Sequence, residues 1–158
     1  MDAPPLHPDC AALAPLLGTW RGRGRGDYPT IDAFDYVEEV VFVHVGKPFL
    51  AYTQRTRDAA TGEALHAESG YLRCLGGSAV EFVVAQPSGI VEIHAGTWDG
   101  GRCDLRSVHV ASAPAAKACT EVRRRLEVDA DRLAYRLDMA AVGQDLQFHL
   151  EAVLERAR

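Results

Sequence analysis

The chain has 158 residues, 47% of them hydrophobic and 25% charged, with a formal net charge of -5. This is the length and balance of one globular domain, 1–158, and the acidic sum argues against a nucleic-acid partner, whose phosphates want a basic surface. No run of about 20 apolar residues marks a membrane span, and MDAPPLHPDC lacks the basic-then-apolar pattern of a secretory leader, so a cytoplasmic protein is expected. In chain order, residues 1–10 read as a flexible end. The segment 8–17 then offers one or two helical turns, interrupted by Pro15. After it the period changes to short alternating segments. Strands are expected at 18–24, 34–45, 49–57, 64–74, 80–85, 89–97, 102–111, 120–128, 132–142 and 146–154. Turn residues separate them, among them Gly46-Lys47-Pro48, Gly76-Gly77-Ser78, Asp99-Gly100-Gly101 and Asp129-Ala130-Asp131. Regularly spaced short strands with no long helix predict an all-β protein, a ten-stranded antiparallel barrel whose closure removes sheet edges and which has room for a ligand.

The stretch GTWRGRGRGDYPT, residues 18–30, poses the first functional question. A phosphate loop would need Lys-Ser or Lys-Thr after the glycines, and a dinucleotide fingerprint would need Gly-x-Gly-x-x-Gly opening a helix. Neither is present, and Tyr28-Pro29 stops any helix. As a strand the stretch makes sense. Trp20, Gly22, Gly24 and Gly26 share one parity, so a backbone or a flat ligand can approach closely. Arg21, Arg23, Arg25 and Asp27 share the other, facing solvent or acidic neighbours. Trp20 is expected as packing at one end of the barrel.

The same alternation places Thr120, Val122, Arg124, Leu126 and Val128 on the inner face of the eighth strand, with Glu121, Arg123, Arg125 and Glu127 on its solvated face. The adjacent Glu38 and Glu39 point to opposite sides and cannot form an acid–base dyad. No Gly-x-Ser-x-Gly elbow or His-x-x-x-His pair occurs. The cysteines Cys10, Cys74, Cys103 and Cys119 are widely spaced, without Cys-x-x-Cys, and are expected as reduced thiols.

Gly18-Thr19-Trp20-Arg21-Gly22-Arg23-Gly24 has the form Gly-x-Trp-x-Gly-x-Gly, which near the start of a short β-rich chain resembles the nitrobindin family. The remainder agrees, through Phe34-Asp35-Tyr36-Val37-Glu38-Glu39-Val40, His44-Val45-Gly46-Lys47-Pro48-Phe49-Leu50, His66-Ala67-Glu68-Ser69-Gly70-Tyr71-Leu72-Arg73 and Gly143-Gln144-Asp145-Leu146-Gln147-Phe148-His149-Leu150. The resemblance implies a barrel similar to fatty-acid-binding proteins, holding one haem b per chain in the ferric state. It implies His149 as the axial ligand and only metal-binding residue, with Thr30 and Lys117 as further cofactor contacts. It also implies nitric oxide binding and isomerisation of peroxynitrite to nitrate, with no catalytic residue apart from the haem iron, and it admits a homodimer.

Periodicity alone disagrees about His149. Leu146, Phe148, Leu150, Ala152 and Leu154 share an apolar parity, which would turn His149 outward. The other histidines read as surface (His7), turn (His44) or ordinary strand residues (His94, His109), and His66 as a pocket residue or a partner for Glu38 or Glu68. Two rival functions use the same barrel: a non-catalytic carrier of a hydrophobic small molecule, which has no need of His149, and a haem-based nitric oxide sensor or carrier.

Overall fold

The computed structural model describes residues 3–158. A 3-10 helix, Pro8–Leu16, precedes ten strands: β1 (Gly18–Tyr28), β2 (Ile31–Val43), β3 (Phe49–Asp58), β4 (Ala64–Cys74), β5 (Ala79–Ala85), β6 (Ile90–Asp99), β7 (Arg102–Ser112), β8 (Cys119–Asp129), β9 (Arg132–Ala141) and β10 (Gln147–Arg156). Each strand pairs antiparallel with the next, and β1 closes on β10, so the sheet is a closed barrel without a free edge strand. The tight β6–β7 hairpin turns on Gly100 and Gly101, whose φ values of 55 and 87 are unfavourable for residues with a Cβ. The expected ten-stranded barrel is the observed one, with strand ends displaced by a few residues.

The largest displacement is in β1, which runs on to Tyr28. Cross-strand ion pairs support the extension: Arg21 Nε lies 2.8 Å from Glu39 Oε2, and Arg25 Nε 2.7 Å from Glu151 Oε1. The glycine parity faces inward and is filled by the protein itself. A Cβ on Gly22 would stand 2.1 Å from the Val153 carbonyl oxygen, and one on Gly24 would stand 2.3 Å from Tyr36 Cζ. The glycines therefore admit the β10 backbone and aromatic rings from β2, which tightens the barrel wall where its first and last strands meet.

The helix plugs one end of the barrel. Cys10, Leu13 and Leu16 are buried against Trp20, and Trp20 Nε1 donates to the Leu16 carbonyl at 2.8 Å. The Arg156 guanidinium covers the indole face at 4.2 Å from its centroid. Of the end segment 1–10, Met1 and Asp2 lie outside the described residues, Leu6 packs against the core, and residues 8–10 belong to the helix.

The cysteines correct the expectation of four reduced thiols. Cys10 and Cys74 form a disulfide across 64 residues of sequence, because the plug helix lies over the end of β4. Cys103 and Cys119 are free and buried, and burial pushes the Cys103 thiol up to about 12. Among the described residues, no helix is long and apolar enough to cross a membrane.

Trp20 combines full burial, a hydrogen bond and a stacked guanidinium at the closed end. Trp20→Ala is expected to lower unfolding stability in urea by about 3–5 kcal/mol. The cofactor-binding spectrum of the folded fraction should not change, because Trp20 lies in the core cluster that packs on the plug helix.

Candidate functional site

The site begins with a register error in β10. Gln147 pairs with Met139 and Phe148 with Asp138, but Leu150 pairs with Leu137, so His149 is an extra residue opposite β9. A bulge of this kind breaks the in–out alternation. Leu150, Ala152 and Leu154 keep the inward direction that periodicity predicts. Phe148 does not. Its ring sits between two guanidinium groups, Arg25 at 4.8 Å and Arg136 at 5.1 Å. His149 turns inward beside Leu150 and lines the main cavity. The conflict between periodicity and resemblance is resolved by the bulge, which reverses the alternation at one point only. The same device operates at the start of β8. There Thr120, expected to point inward, is the extra residue and is exposed, while Cys119 enters the wall.

The His149 imidazole is held from two sides. Nδ1 is 3.4 Å from the Asp27 carbonyl oxygen at the end of β1, and the Tyr28 ring meets it edge-on with centroids 5.3 Å apart. Tyr28 is itself fixed, since its hydroxyl donates to the Met139 carbonyl at 2.9 Å and accepts from the Ala141 amide at 2.9 Å. A carbonyl only accepts, so this contact assigns the proton of a neutral imidazole to Nδ1 and leaves Nε2 bare. Burial lowers the His149 pKa, outweighing the Asp27 carbonyl, and His66 acts in the same direction. The result is a neutral ring with one free lone pair.

That ring belongs to a cavity of about 500 Å3, within the range of small-molecule and cofactor sites. Ile31, Phe34, Leu65, Ile90, Leu137 and Met139 supply its apolar walls. Lys117 also lines it, from the exposed connection between β7 and β8, which part after the Arg106–Arg123 pair. Thr30 is exposed in the β1–β2 turn and precedes Ile31, a wall residue, but does not itself line the cavity. His149 and Lys117 are thus brought to one cavity, with Thr30 beside it.

The floor of the cavity is polar. Arg124, buried on β8, donates to Glu68 Oε2 at 2.9 Å, to Glu68 Oε1 at 2.8 Å and to Glu92 Oε2 at 2.5 Å. Burial acts to raise the Glu68 and Glu92 pKa values, but the guanidinium outweighs it and holds both below the usual range. Glu38, on β2, accepts from Gln54 at 2.9 Å and from Tyr135 at 2.8 Å, yet burial dominates and raises it to about 7. The Tyr135 hydroxyl lies 2.7 Å from that of Tyr36, whose ring reaches the cavity. Glu38 and Glu39 do face opposite sides, as the strand parity requires. His66 approaches Glu68 at 3.5 Å, one of the two partners expected for it. His94 is fully buried beside Glu92 at 3.3 Å, and His44 accepts from the Gly46 amide at 3.4 Å in its turn. Arg124 sat on the inward parity from the start. Its carboxylate partners, distant in sequence, had no local signal.

Among the described residues, no group of three or more His, Cys, Asp or Glu side chains forms a metal cage. A metal held by His149 alone must bring its other ligands with it. A single neutral histidine aimed from an apolar wall fits a flat, metal-bearing macrocycle, and the molecule is an antiparallel barrel with a cavity that could take one. Residues 9–156 match the THAP4-like, heme-binding beta-barrel domain, and the chain belongs to that family. It is 56% identical over 157 residues to peroxynitrite isomerase 2 of Mycobacterium avium strain 104, covering 97% of this chain and 98% of the relative. It is 52% identical over 160 residues to peroxynitrite isomerase 1 of Mycobacterium tuberculosis H37Rv, with the same coverage. The crystal structure of Rv2717c from M. tuberculosis superposes with a TM-score of 0.92 at 52% identity, covering 98% of this chain and all of that one.

Two measurements follow from this geometry. Phe148→Ala removes the ring clamped by Arg25 and Arg136, and two partly exposed cation–π contacts are together worth about 1–2 kcal/mol. Haemin affinity is expected to fall about tenfold by absorbance titration, with Phe148→Tyr retaining it. Glu38→Gln tests the buried acid. A carboxyl whose folded-state pKa of about 7 exceeds its ordinary 4.5 favours the fold at low pH and loses that advantage as pH rises toward 7. Between pH 5 and pH 8 the variant should therefore gain on the parent, by on the order of 1–3 kcal/mol in urea unfolding.

Proposed function

We propose that this chain is a haem-dependent isomerase that converts peroxynitrite to nitrate, and that haem b is bound through His149 Nε2. One observation carries the reading: the β10 bulge delivers a bare, neutral imidazole nitrogen into an apolar cavity. The cofactor, when bound, would supply a ferric iron as the electrophile for the peroxo group of the substrate. The chain's own part is positional. The Asp27 carbonyl fixes the His149 tautomer, and the Tyr28 edge limits its rotation. The apolar walls would limit access of water to the reacting atoms, favouring rearrangement within the substrate over loss of its parts. Peroxynitrite and nitrate have the same composition and charge, so the conversion needs no net proton and no dedicated acid or base. Lys117, at the mouth, suits a cofactor carboxylate, and the Thr30 hydroxyl in the adjacent turn can bond another. Nitric oxide would be a second small ligand for the same iron.

The carrier reading is less well supported. A fatty-acid carrier needs a cation deep in the barrel for the carboxylate, and the guanidinium of Arg124 is already committed to two glutamates.

The test is His149→Ala. Loss of the sole axial ligand should weaken haemin binding at least 100-fold and remove the sharp Soret band, with circular dichroism unchanged. Stopped-flow decay of peroxynitrite, accelerated by the haem-loaded parent, should return to the rate in buffer. An unchanged Soret spectrum and affinity in the variant would overturn the assignment of His149.

A further inference from the structure

The polar floor, where Glu68 and Glu92 face the same cavity as His149, is the most charged place inside the barrel. We propose that the Glu68–Arg124–Glu92 cluster is a specificity filter that rejects anionic amphiphiles, long-chain carboxylates above all, from the cavity.

An apolar barrel interior of about 500 Å3 is a good solvent for an alkyl chain. What decides whether a fatty acid enters is its headgroup. A carboxylate drawn into the barrel loses its water and must find a cation or donor in exchange. Among the described residues, the only cation buried with the floor is Arg124, and three of its hydrogen bonds go to Glu68 and Glu92. Of its five N–H groups, the Nε–H and one on Nη1 are left over, on a guanidinium that already carries two carboxylates. Both glutamates are ionised, because Arg124 outweighs the burial that would neutralise them. The floor sets the carboxylates of Glu68 and Glu92 against the single guanidinium of Arg124, and Glu38 adds a third carboxyl close by. A second anion arriving there meets like charge in a site of low dielectric, where repulsion is strong.

The filter acts on depth. Lys117 stands at the mouth and His149 at the bulge near the rim, so a ligand whose charges remain at that end is not opposed. One that must carry a carboxylate to the floor is. The barrel is thereby kept clear of abundant cellular fatty acids and left open to a flat ligand charged on one edge. The inference stands apart from the isomerase reading, since it concerns what the empty barrel refuses.

Fluorescence titration of the full chain before haemin is added tests it, using 11-(dansylamino)undecanoic acid and its methyl ester at pH 8. The parent is expected to bind the ester at least tenfold more tightly than the acid. In Glu68→Gln/Glu92→Gln, which frees Arg124, the acid should gain at least tenfold while the ester changes little. A parent that binds acid and ester equally would overturn the proposal without any variant. So would a folded double variant that shows no gain for the acid. If the double variant does not fold, the parent's preference between acid and ester decides. None of these outcomes alters haemin binding through His149, so the filter can fail while the isomerase reading stands.

Discussion

Between Phe148 and Leu150, β10 carries one residue more than β9 can pair. That single surplus residue sets which way Phe148 and His149 point at the open end of the barrel. With a continuous register, Phe148 would face inward and His149 would stand in solvent. With the bulge, His149 shares the inner face with Leu150, and Phe148 is carried outside to lie between Arg25 and Arg136. The neighbouring β1 end completes the arrangement, because its last ladder pair with β10 is Gly26–Leu150 and its Asp27 carbonyl is then free for Nδ1. A bulge beside a site is a common way to re-aim one side chain without disturbing the rest of a sheet.

The inside of the barrel divides into three zones. The plug helix and Trp20 close one end with an apolar core. The middle holds two sets of buried polar groups, Glu38 with Gln54 and Tyr135, and Arg124 with Glu68 and Glu92. The open end is the apolar cavity with His149 on its wall. Buried ion pairs seldom raise stability over a hydrophobic core of equal volume. Their presence between two apolar zones is better understood as selection of the ligand than as support for the fold.

The fold was readable in the sequence because barrels are written in alternation and turns. The Gly-rich breaks and the period of two placed all ten strands, and the parity of Trp20, Gly22, Gly24 and Gly26 anticipated a close approach along β1. Alternation also put Arg124 on the parity opposite the solvated face of β8, and set Glu38 and Glu39 on opposite sides without saying which was buried. Three things were not readable. The bulge at His149 was invisible because parity arguments assume an unbroken register, so the residue's identity came from family resemblance and its direction only from the structure. The Cys10–Cys74 disulfide joins elements 64 residues apart and depends on how the plug helix folds back. The Glu68–Arg124–Glu92 cluster joins three strands that no local pattern connects.

The central claim is that the bulge presents a bare Nε2 to the cavity. Nitrogen-15 correlation spectra of the imidazoles in the haem-free full chain at neutral pH report this directly. The account predicts that His149 is neutral, with its proton on Nδ1 and the chemical shift of an unprotonated nitrogen at Nε2. A His149 ring protonated at Nε2, or one averaging freely between the two tautomers, would contradict it.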